Sequence, residues 1–162
     1  MDKSTRKLIN TVILDDGSVR IAGWIYRLRE LARTTFIVLK DCTGEIQCVV
    51  ATNLIQPLHL KLELPVEIIG HVKKEPRSPV GLEIEVKEIL ILNDISSTLP
   101  FNSSSDISEL GIDTILAYRP LSLRNEHVKD IFKIQSAILQ YLRQFLIRSH
   151  FTEIITSKIV AS

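Results

Sequence analysis

The feature that most constrains this chain is the stretch 19–50, where three runs rich in β-branched and aromatic residues follow one another. The runs cover Val19–Leu28, Thr35–Lys40 and Glu45–Val50, and the turn sequence Asp-Cys-Thr-Gly separates the last two. Apolar and polar residues partly alternate along them, so one sheet face can be buried while the other carries Arg, Phe and Gln. The stretch therefore predicts a three-stranded antiparallel meander.

The polar face of this meander combines an aromatic ring with cations and amides. Such a face suits stacking on an unpaired base while nearby cations neutralise phosphates. A half-buried antiparallel sheet whose outer face is only solvated has the same pattern, and such sheets are common. The pattern alone leaves both interpretations open.

Two further strand-like runs follow, at 65–72 and 82–92, separated by a polar loop with two prolines at 73–81. Residues 52–64 precede them and contain Pro57, so we expect a short helix or an irregular crossover there. Three strands, a crossover and two more strands are the order of a five-stranded Greek-key barrel, the OB-fold. This fold commonly binds oligonucleotides on its second and third strands, although many such barrels bind protein or sugar.

Downstream of the predicted barrel, residues 93–113 are rich in Ser, Asn and Asp and predict a linker, with a domain boundary near residue 100. Asn125 is placed to cap a helix over 126–149, where apolar residues recur at spacings of three and four. The resulting stripe must pack against something, and it comprises Val128, Ile131, Phe132, Gln135, Ile138, Leu139, Leu142, Phe145 and Leu146. Residues 151–162 are again strand-like.

Composition excludes several classes of protein. The 162 residues are 45% hydrophobic, which is enough for a packed core, and a net charge of +1 argues against an indiscriminate polyanion binder. No run approaches the roughly 18 apolar residues of a membrane helix, and the start lacks a signal-peptide core, so we expect a cytoplasmic protein with no membrane partner. The four histidines and the two cysteines, Cys42 and Cys48, have no metal-ligand spacing, which predicts free thiols and no metal site.

Four groups of motifs together resemble one known family. They are Gly-Trp-Ile at 23–25 with Arg29, Phe-Ile-Val-Leu-Lys-Asp at 36–41 and Gly-Glu-Ile-Gln at 44–47; Leu-Glu-Ile-Glu-Val at 82–86; Tyr-Arg-Pro-Leu-Ser-Leu-Arg-Asn at 118–125; and Phe-Thr-Glu-Ile-Ile-Thr-Ser-Lys-Ile at 151–159. Their order and spacing resemble those of aspartyl- and asparaginyl-tRNA synthetases, and the last two groups are most similar to archaeal-type aspartate ligases. The resemblance implies an anticodon-binding OB-fold domain over 1–100, a linker over 101–117, and over 118–162 the start of a class II catalytic domain: one long α-helix and a short terminal strand.

The same resemblance implies four residues that contact RNA. Phe36 would stack on an anticodon base, with the central uridine as the candidate, and Gln47 and Glu83 would each hydrogen-bond a base edge. Arg29 would hold a base or a phosphate. Each also has an ordinary structural interpretation, as a core ring, a solvated strand residue, a surface acid and a surface cation respectively. The family pattern further assigns Trp24 to the barrel core.

Four residues depart from the family pattern: Ala32, Lys40, Ala117 and Ser157 stand where the family has Gly, Arg, Asp and Pro. The second and third class II signatures, whose residues hold ATP and magnesium in the full-length family, do not occur in this sequence. The resemblance therefore implies that this chain alone binds the anticodon loop of an Asp or Asn tRNA, without a catalytic site and without a cofactor. Two alternatives remain open: a protein-interaction module that forms a homodimer or captures a full-length synthetase through the 126–149 helix, and a decayed synthetase paralogue.

Overall fold

The computed structural model describes residues 5–55, 58–94 and 98–156. The chain divides into two compact units, Met1–Ser104 and Ser105–Ser162. In the first unit five strands form a closed barrel in which the hydrogen-bonded order is β1-β2-β3-β5-β4. The strands are β1 (Ser18–Glu30), β2 (Thr34–Lys40), β3 (Glu45–Ala51), β4 (Pro65–Lys74) and β5 (Leu82–Ile91). The predicted five-stranded OB-fold barrel is confirmed.

The barrel core follows from the alternation along its strands, because successive side chains of a strand point to opposite faces. The inward row of β2 is Thr35, Ile37 and Leu39, which are all fully buried. The inward rows of the other strands fill the rest of the interior with Ile21, Ile25, Ile46, Cys48, Val50, Val66, Ile68 and Ile84. The other side chains of β2 and β3 stand on the outer face and are half-buried, except for exposed Ala51 at the end of β3.

The alternation along β1 changes phase after Ile25. Ile25 pairs with Leu39 of β2, whereas Arg27 pairs with the preceding residue, Val38, so Tyr26 is the extra residue of a β-bulge. Leu28 then packs against the core, three residues after Ile25. After the bulge, the even-numbered residues of β1 face the core in place of the odd-numbered ones.

The assignment of Trp24 to the core is wrong. Trp24 is half-buried and pairs with Lys40 on one side and with Pro65 on the other, in the outward phase of β1. Ile25 takes the core position instead, fully buried. Next to the indole, a Cβ on Gly23 would lie 2.3 Å from the backbone oxygen of Lys40, so only glycine permits this approach of β1 to β2.

Short segments close the barrel. The predicted crossover between β3 and β4 contains one short helix, α1 (Thr52–Ile55), whose Ile55 is buried. Before β1, the chain forms two 3-10 turns, and Ile9 and Val12 from this lead join the core. The lead is tied to the sheet by a parallel bridge between Lys7 and Ile21.

The segment 101–117, predicted as a linker, is partly structured. Its first part belongs to the barrel unit, where both the backbone N–H and the hydroxyl of Ser103 donate to Glu63 Oε1 at 2.6 Å. In the second unit the chain forms two short helices, α2 (Ile112–Ala117) and α3 (Arg119–Ser122). They form because α2 buries Ile115 and the buried Ser122 hydroxyl donates to the Ile115 carbonyl at 3.0 Å.

The predicted long helix is α4 (Glu126–Arg148). Asn125 caps it as expected, since its side-chain oxygen accepts from the His127 N–H at 3.1 Å. At the other end the Phe151 N–H donates to the Leu146 carbonyl, and His150 adopts the left-handed φ of 65° that a Schellman motif requires. Of the predicted apolar stripe, only Val128 is buried.

The short terminal strand is not found in residues 151–156, where the described chain is irregular because it has no neighbouring strand to pair with. The rest of that prediction, including Ser157, lies outside the described residues. Along the described segments no helix combines the length and apolar content needed to cross a membrane.

Candidate nucleic-acid interface

The four residues predicted to contact RNA lie on the outer face of the barrel, on four strands. Arg29 of β1 pairs with Phe36 of β2, and Gln47 of β3 pairs with Glu83 of β5. Because Phe36 pairs with Val49, Gln47 is its diagonal neighbour on the same face, about 7–8 Å away. The fold therefore brings all four together.

Two rows of side chains cross this surface, which we call the outer face. One row is Arg29, Phe36, Val49 and Glu85, and the other is Arg27, Val38, Gln47 and Glu83. Each row begins with an arginine on β1, passes over β2 and β3, and ends with a glutamate on β5. The outer face is therefore basic along one side and acidic along the other, with an apolar and amide centre.

A lysine of the neighbouring strand β4 partly neutralises the acidic side of the outer face. Lys73 of β4 forms an ion pair with Glu85 at 2.8 Å, and the hydrogen bond and charge of this lysine lower the pKa of the Glu85 carboxyl. Gln47 Nε2 donates to Glu83 Oε2 at 3.1 Å. Since only the amide nitrogen can donate to a carboxylate, this contact sets the orientation of the Gln47 side chain. The Gln47 carbonyl oxygen remains as an acceptor for a base edge.

Two aromatic rings near this surface differ in their surroundings. Lys40 Nζ lies 4.4 Å from the centroid of the Tyr26 ring, and Arg27 Cζ lies 5.1 Å from it. Cations therefore cover the Tyr26 ring. No such cation lies over the half-buried Phe36 ring among the residues that the structure describes. Of these two rings, Phe36 is the one that no described cation covers.

Sequence reasoning missed Tyr26 as part of this region. Tyr26 is the bulged residue of β1, and the alternation used to assign faces does not apply at a bulge. The spacing of three between Ile25 and Leu28, where an alternating strand would have two or four, is a signal that could have revealed it. The cations that cover it are Arg27, the next residue on β1, and Lys40, the last residue of β2.

The hairpin between β2 and β3 holds the two central strands in register. Asp41 Oδ1 accepts from the Thr43 and Gly44 N–H groups at 2.7 and 3.0 Å, and Oδ2 accepts from the Ile9 N–H at 2.9 Å. Burial alone would raise the pKa of Asp41, but these hydrogen bonds and that of the Thr43 hydroxyl outweigh it, so the pKa lies below 3.8. An ionised Asp41 thus fixes the turn that positions Phe36 and Gln47.

Both cysteines are free thiols, as predicted. Cys48 lies on the inward side of β3 next to Gln47, and burial raises the pKa of its thiol, with a smaller contribution from Glu83. The Cys48 thiol is therefore protonated and unreactive at neutral pH. Within 5–55, 58–94 and 98–156, no three His, Cys, Asp or Glu side chains form a group that could hold a metal ion.

Comparison with protein families covers most of the chain. Residues 19–92 match the family of OB-fold nucleic acid binding domains. Residues 111–162 match the family of tRNA synthetases class II (D, K and N). The fold and these two matches define the class of this protein: a nucleic-acid-binding OB domain joined to part of a class II synthetase domain.

Individual relatives narrow the class. The chain is 37% identical over 151 residues to an aspartate–tRNA(Asp/Asn) ligase of Sulfurisphaera tokodaii and 35% identical over 152 residues to that of Saccharolobus solfataricus. These alignments cover 91% and 92% of this chain, but 35% of each relative, so the chain spans about a third of their length. The asparaginyl-tRNA synthetase structure from Pyrococcus horikoshii, complexed with asparaginyl-adenylate, superposes with a TM-score of 0.79 at 25% identity, over 94% of this chain and 36% of that one. The chain belongs to the aspartyl- and asparaginyl-tRNA synthetase family.

Proposed function

We propose that the outer face binds the anticodon loop of an Asp or Asn tRNA. The observation that carries this proposal is the juxtaposition of a half-buried aromatic ring, Phe36, which no described cation covers, with the oriented Gln47–Glu83 pair on the next strands of a barrel related to anticodon-binding domains. A ring supplies sequence-tolerant stacking, whereas an amide and a carboxylate discriminate donor from acceptor edges. Together they suit a short, splayed single strand.

In this proposal Phe36 stacks on the central anticodon base, the uridine shared by Asp and Asn tRNAs. Val38 and Val49 flank the ring on the outer face and provide an apolar floor for the stacked base. Gln47 on β3 and Glu83 on β5, one and two strands further on, hydrogen-bond a neighbouring base. Because these two side chains already hold each other, little side-chain freedom is lost when a base binds.

The charges of the outer face indicate where the phosphates run. Glu83 and Glu85 repel phosphates along β5, whereas Arg27 and Arg29 attract them along β1. The RNA backbone therefore follows the β1 side, with its bases directed across β2 and β3. Since arginine contacts with phosphate release counterions, we expect affinity to fall as salt rises.

The test measures binding of the 162-residue chain to a labelled Asp anticodon stem-loop by fluorescence anisotropy at two salt concentrations. Phe36→Ala is expected to weaken binding about 5- to 150-fold, because base–aromatic stacking contributes about 1–3 kcal/mol. The matched control is Tyr141→Ala, which removes an exposed ring of α4, 70% exposed and remote in sequence from the barrel. A stem-loop whose central uridine is replaced should bind the unaltered chain more weakly.

The pattern of losses decides the proposal. A loss with Phe36→Ala and with the altered loop, but not with Tyr141→Ala, supports an anticodon reader. Equal binding of both loops that is insensitive to Phe36→Ala would contradict it, even if the chain binds RNA at low salt through its charge alone.

We further propose that α4 pairs with a second copy of this chain. Ile131, Ile138 and Phe145 are 63%, 61% and 65% exposed, an unusual fraction for an apolar stripe that repeats along a helix. Near its end, α4 and the following residues enclose a cleft of about 290 Å³ lined by Leu139, Leu142, Leu146, Ile147 and Phe151, with the Arg143–Glu153 ion pair among its lining residues. The stripe and this cleft give α4 an exposed apolar surface, which a second copy of the chain would cover in this proposal.

Light scattering after size-exclusion chromatography tests the second proposal. A dimer that Ile138→Glu converts to a monomer, while Lys133→Glu on the same helix does not, supports pairing through the stripe. A monomer across the accessible concentration range would overturn it, and RNA binding by that monomer would leave the first proposal intact.

A further inference from the structure

A cleft at one end of the barrel is not used by the outer face described above. It has a volume of about 320 Å³ and is lined by Glu30, Thr52, Ile55, His59 and Leu60. This volume lies at the lower end of the roughly 300–1,000 Å³ range of small-molecule pockets, the scale of a single flat ring system. The cleft belongs entirely to the barrel unit.

The walls of the cleft are held by backbone and side-chain hydrogen bonds. The Thr52 N–H donates to the Arg33 carbonyl at 3.1 Å, and the Thr52 hydroxyl donates to the Leu31 carbonyl at 3.1 Å. The hydroxyls of Thr52 and Thr35 lie 3.3 Å apart. These contacts fasten α1 to the loop between β1 and β2, so the cleft is preformed.

The polar groups of the cleft are available. Glu30 is exposed and forms no hydrogen bond or ion pair with any residue in the described segments, and the same holds for the His59 side chain. His59 is held at a φ of 44°, a left-handed conformation that is uncommon for a residue with a side chain. Buried Ile55 and half-buried Leu60 supply apolar surface beside them. A carboxylate accepts hydrogen bonds but cannot donate, so the cleft suits a flat ring with an N–H edge.

The cleft lies at the end of the barrel, beside the edge of the outer face. Glu30 follows Arg29 directly on β1, and it pairs with buried Thr35 where Arg29 pairs with Phe36. Because successive side chains point to opposite faces, Glu30 points to the other side of the sheet from Arg29 and Phe36, and a strand of RNA reaches the cleft by passing round the end of β1, one residue pair beyond them. Exposed Arg33, in the loop between β1 and β2, is a cation that offsets the repulsion between Glu30 and phosphates.

We propose that this cleft binds the base of the nucleotide that flanks the anticodon on one side, as an additional subsite of the RNA surface. Glu30 accepts hydrogen bonds from the Watson–Crick edge of the base, the Ile55 and Leu60 side chains contact its ring, and His59 stacks or packs against it. Guanine fits best, because its ring N–H and amino group present two adjacent donors to the two carboxylate oxygens. Uracil, with one donor between two carbonyl oxygens, is disfavoured. This inference rests on the proposed function of the outer face.

The test is a cycle of protein and RNA changes with the 162-residue chain. Anticodon stem-loops carry guanosine, inosine or an abasic residue at the position 5′ or 3′ of the anticodon. Inosine is guanosine without its amino group. At one of the two positions, guanine→inosine is expected to weaken binding about tenfold, as for loss of a hydrogen bond to a charged group. Glu30→Gln should remove this difference, while Glu88→Gln, which changes an exposed glutamate of β5, should leave it.

Each outcome has one meaning. Loss of the guanine–inosine difference in Glu30→Gln alone supports the subsite. No difference at either position, or a difference that survives Glu30→Gln, overturns it. If Phe36→Ala still weakens binding in that case, only the subsite fails; if Phe36→Ala also has no effect, the outer-face proposal fails first. Binding of guanosine monophosphate that depends on Glu30, with loop binding that does not, would overturn the assignment to the loop.

Discussion

Apolar residues are buried in the barrel but mostly exposed on the long helix α4. In the barrel, closure of the sheet buries a continuous core, including Ile21, Ile37 and Leu39, which are fully inaccessible. In α4, Ile131, Ile134 and Ile138 are all more than 60% exposed. The two regions differ because the strands of the barrel bury one another's apolar side chains, whereas most of the α4 stripe, apart from Val128, stays exposed in the described chain.

The largest expected effect tests this contrast directly. Ile37→Ala removes buried methyl groups and leaves a cavity, so it should lower the free energy of unfolding by about 2–5 kcal/mol. The matched change Ile138→Ala, in dilute protein, should alter it by no more than about 0.5 kcal/mol, because that side chain is already solvated. Denaturant unfolding followed by the fluorescence of Trp24, the only tryptophan, reports on the barrel. Similar losses for both variants would contradict the contrast.

A second effect concerns the polar closure of the barrel. Glu67 is 4% exposed and accepts hydrogen bonds from Arg20 Nε at 2.8 Å and from the Arg6 guanidinium, which ties the N-terminal lead to the sheet. Burial alone would raise the pKa of Glu67, but the hydrogen bonds and charges of Arg20 and Arg6 outweigh it, so the pKa lies below 4.5. Such a carboxylate stabilises the fold only while it is ionised.

Glu67→Gln should therefore lower the unfolding free energy of the barrel by about 1.5–3 kcal/mol at neutral pH. In the unaltered chain this contribution is present above pH 4.5 and is lost as the pH falls below it, since the unfolded state then binds the proton more readily. Denaturant titrations over a pH series should show the two proteins converging in acid. Glu88→Gln, an exposed change, should follow the unaltered chain, and a pH-independent gap between Glu67→Gln and the unaltered chain would refute the pKa assignment.

The same contrast shows how far sequence reasoning reaches. Alternation predicted the inward row of β2 because a strand has a period of two, and spacing with a cap predicted α4 because both are local signals. The bulge at Tyr26 breaks that period of two, so alternation alone assigns the wrong faces beyond it. The wrong assignment of Trp24 has another source, the family pattern, because Trp24 precedes the bulge and alternation places it opposite the core residue Ile25. The contact between Gln47 and Glu83 joins parallel strands that are 36 residues apart, and it exists only because the barrel closes. Family resemblance, and not periodicity, selected that pair.

The smallest effect belongs to the helix, where stability comes from local contacts. Asn125 is 4% exposed; its oxygen accepts from the His127 N–H at 3.1 Å, and its Nδ2 donates to the Ser105 carbonyl at 3.0 Å. Asn125→Ala should cost about 0.5–2 kcal/mol, because it leaves a first-turn N–H without its acceptor. Asn125→Asp keeps the acceptor and removes only the donor, so it should cost less and separate the two contacts.

Thermal melts followed by far-ultraviolet circular dichroism report on the helix, and Trp24 fluorescence should change little. An equal shift of both signals would mean that the two regions unfold together, and a loss in Asn125→Asp as large as that in Asn125→Ala would assign the stabilisation to Ser105 and not to the cap.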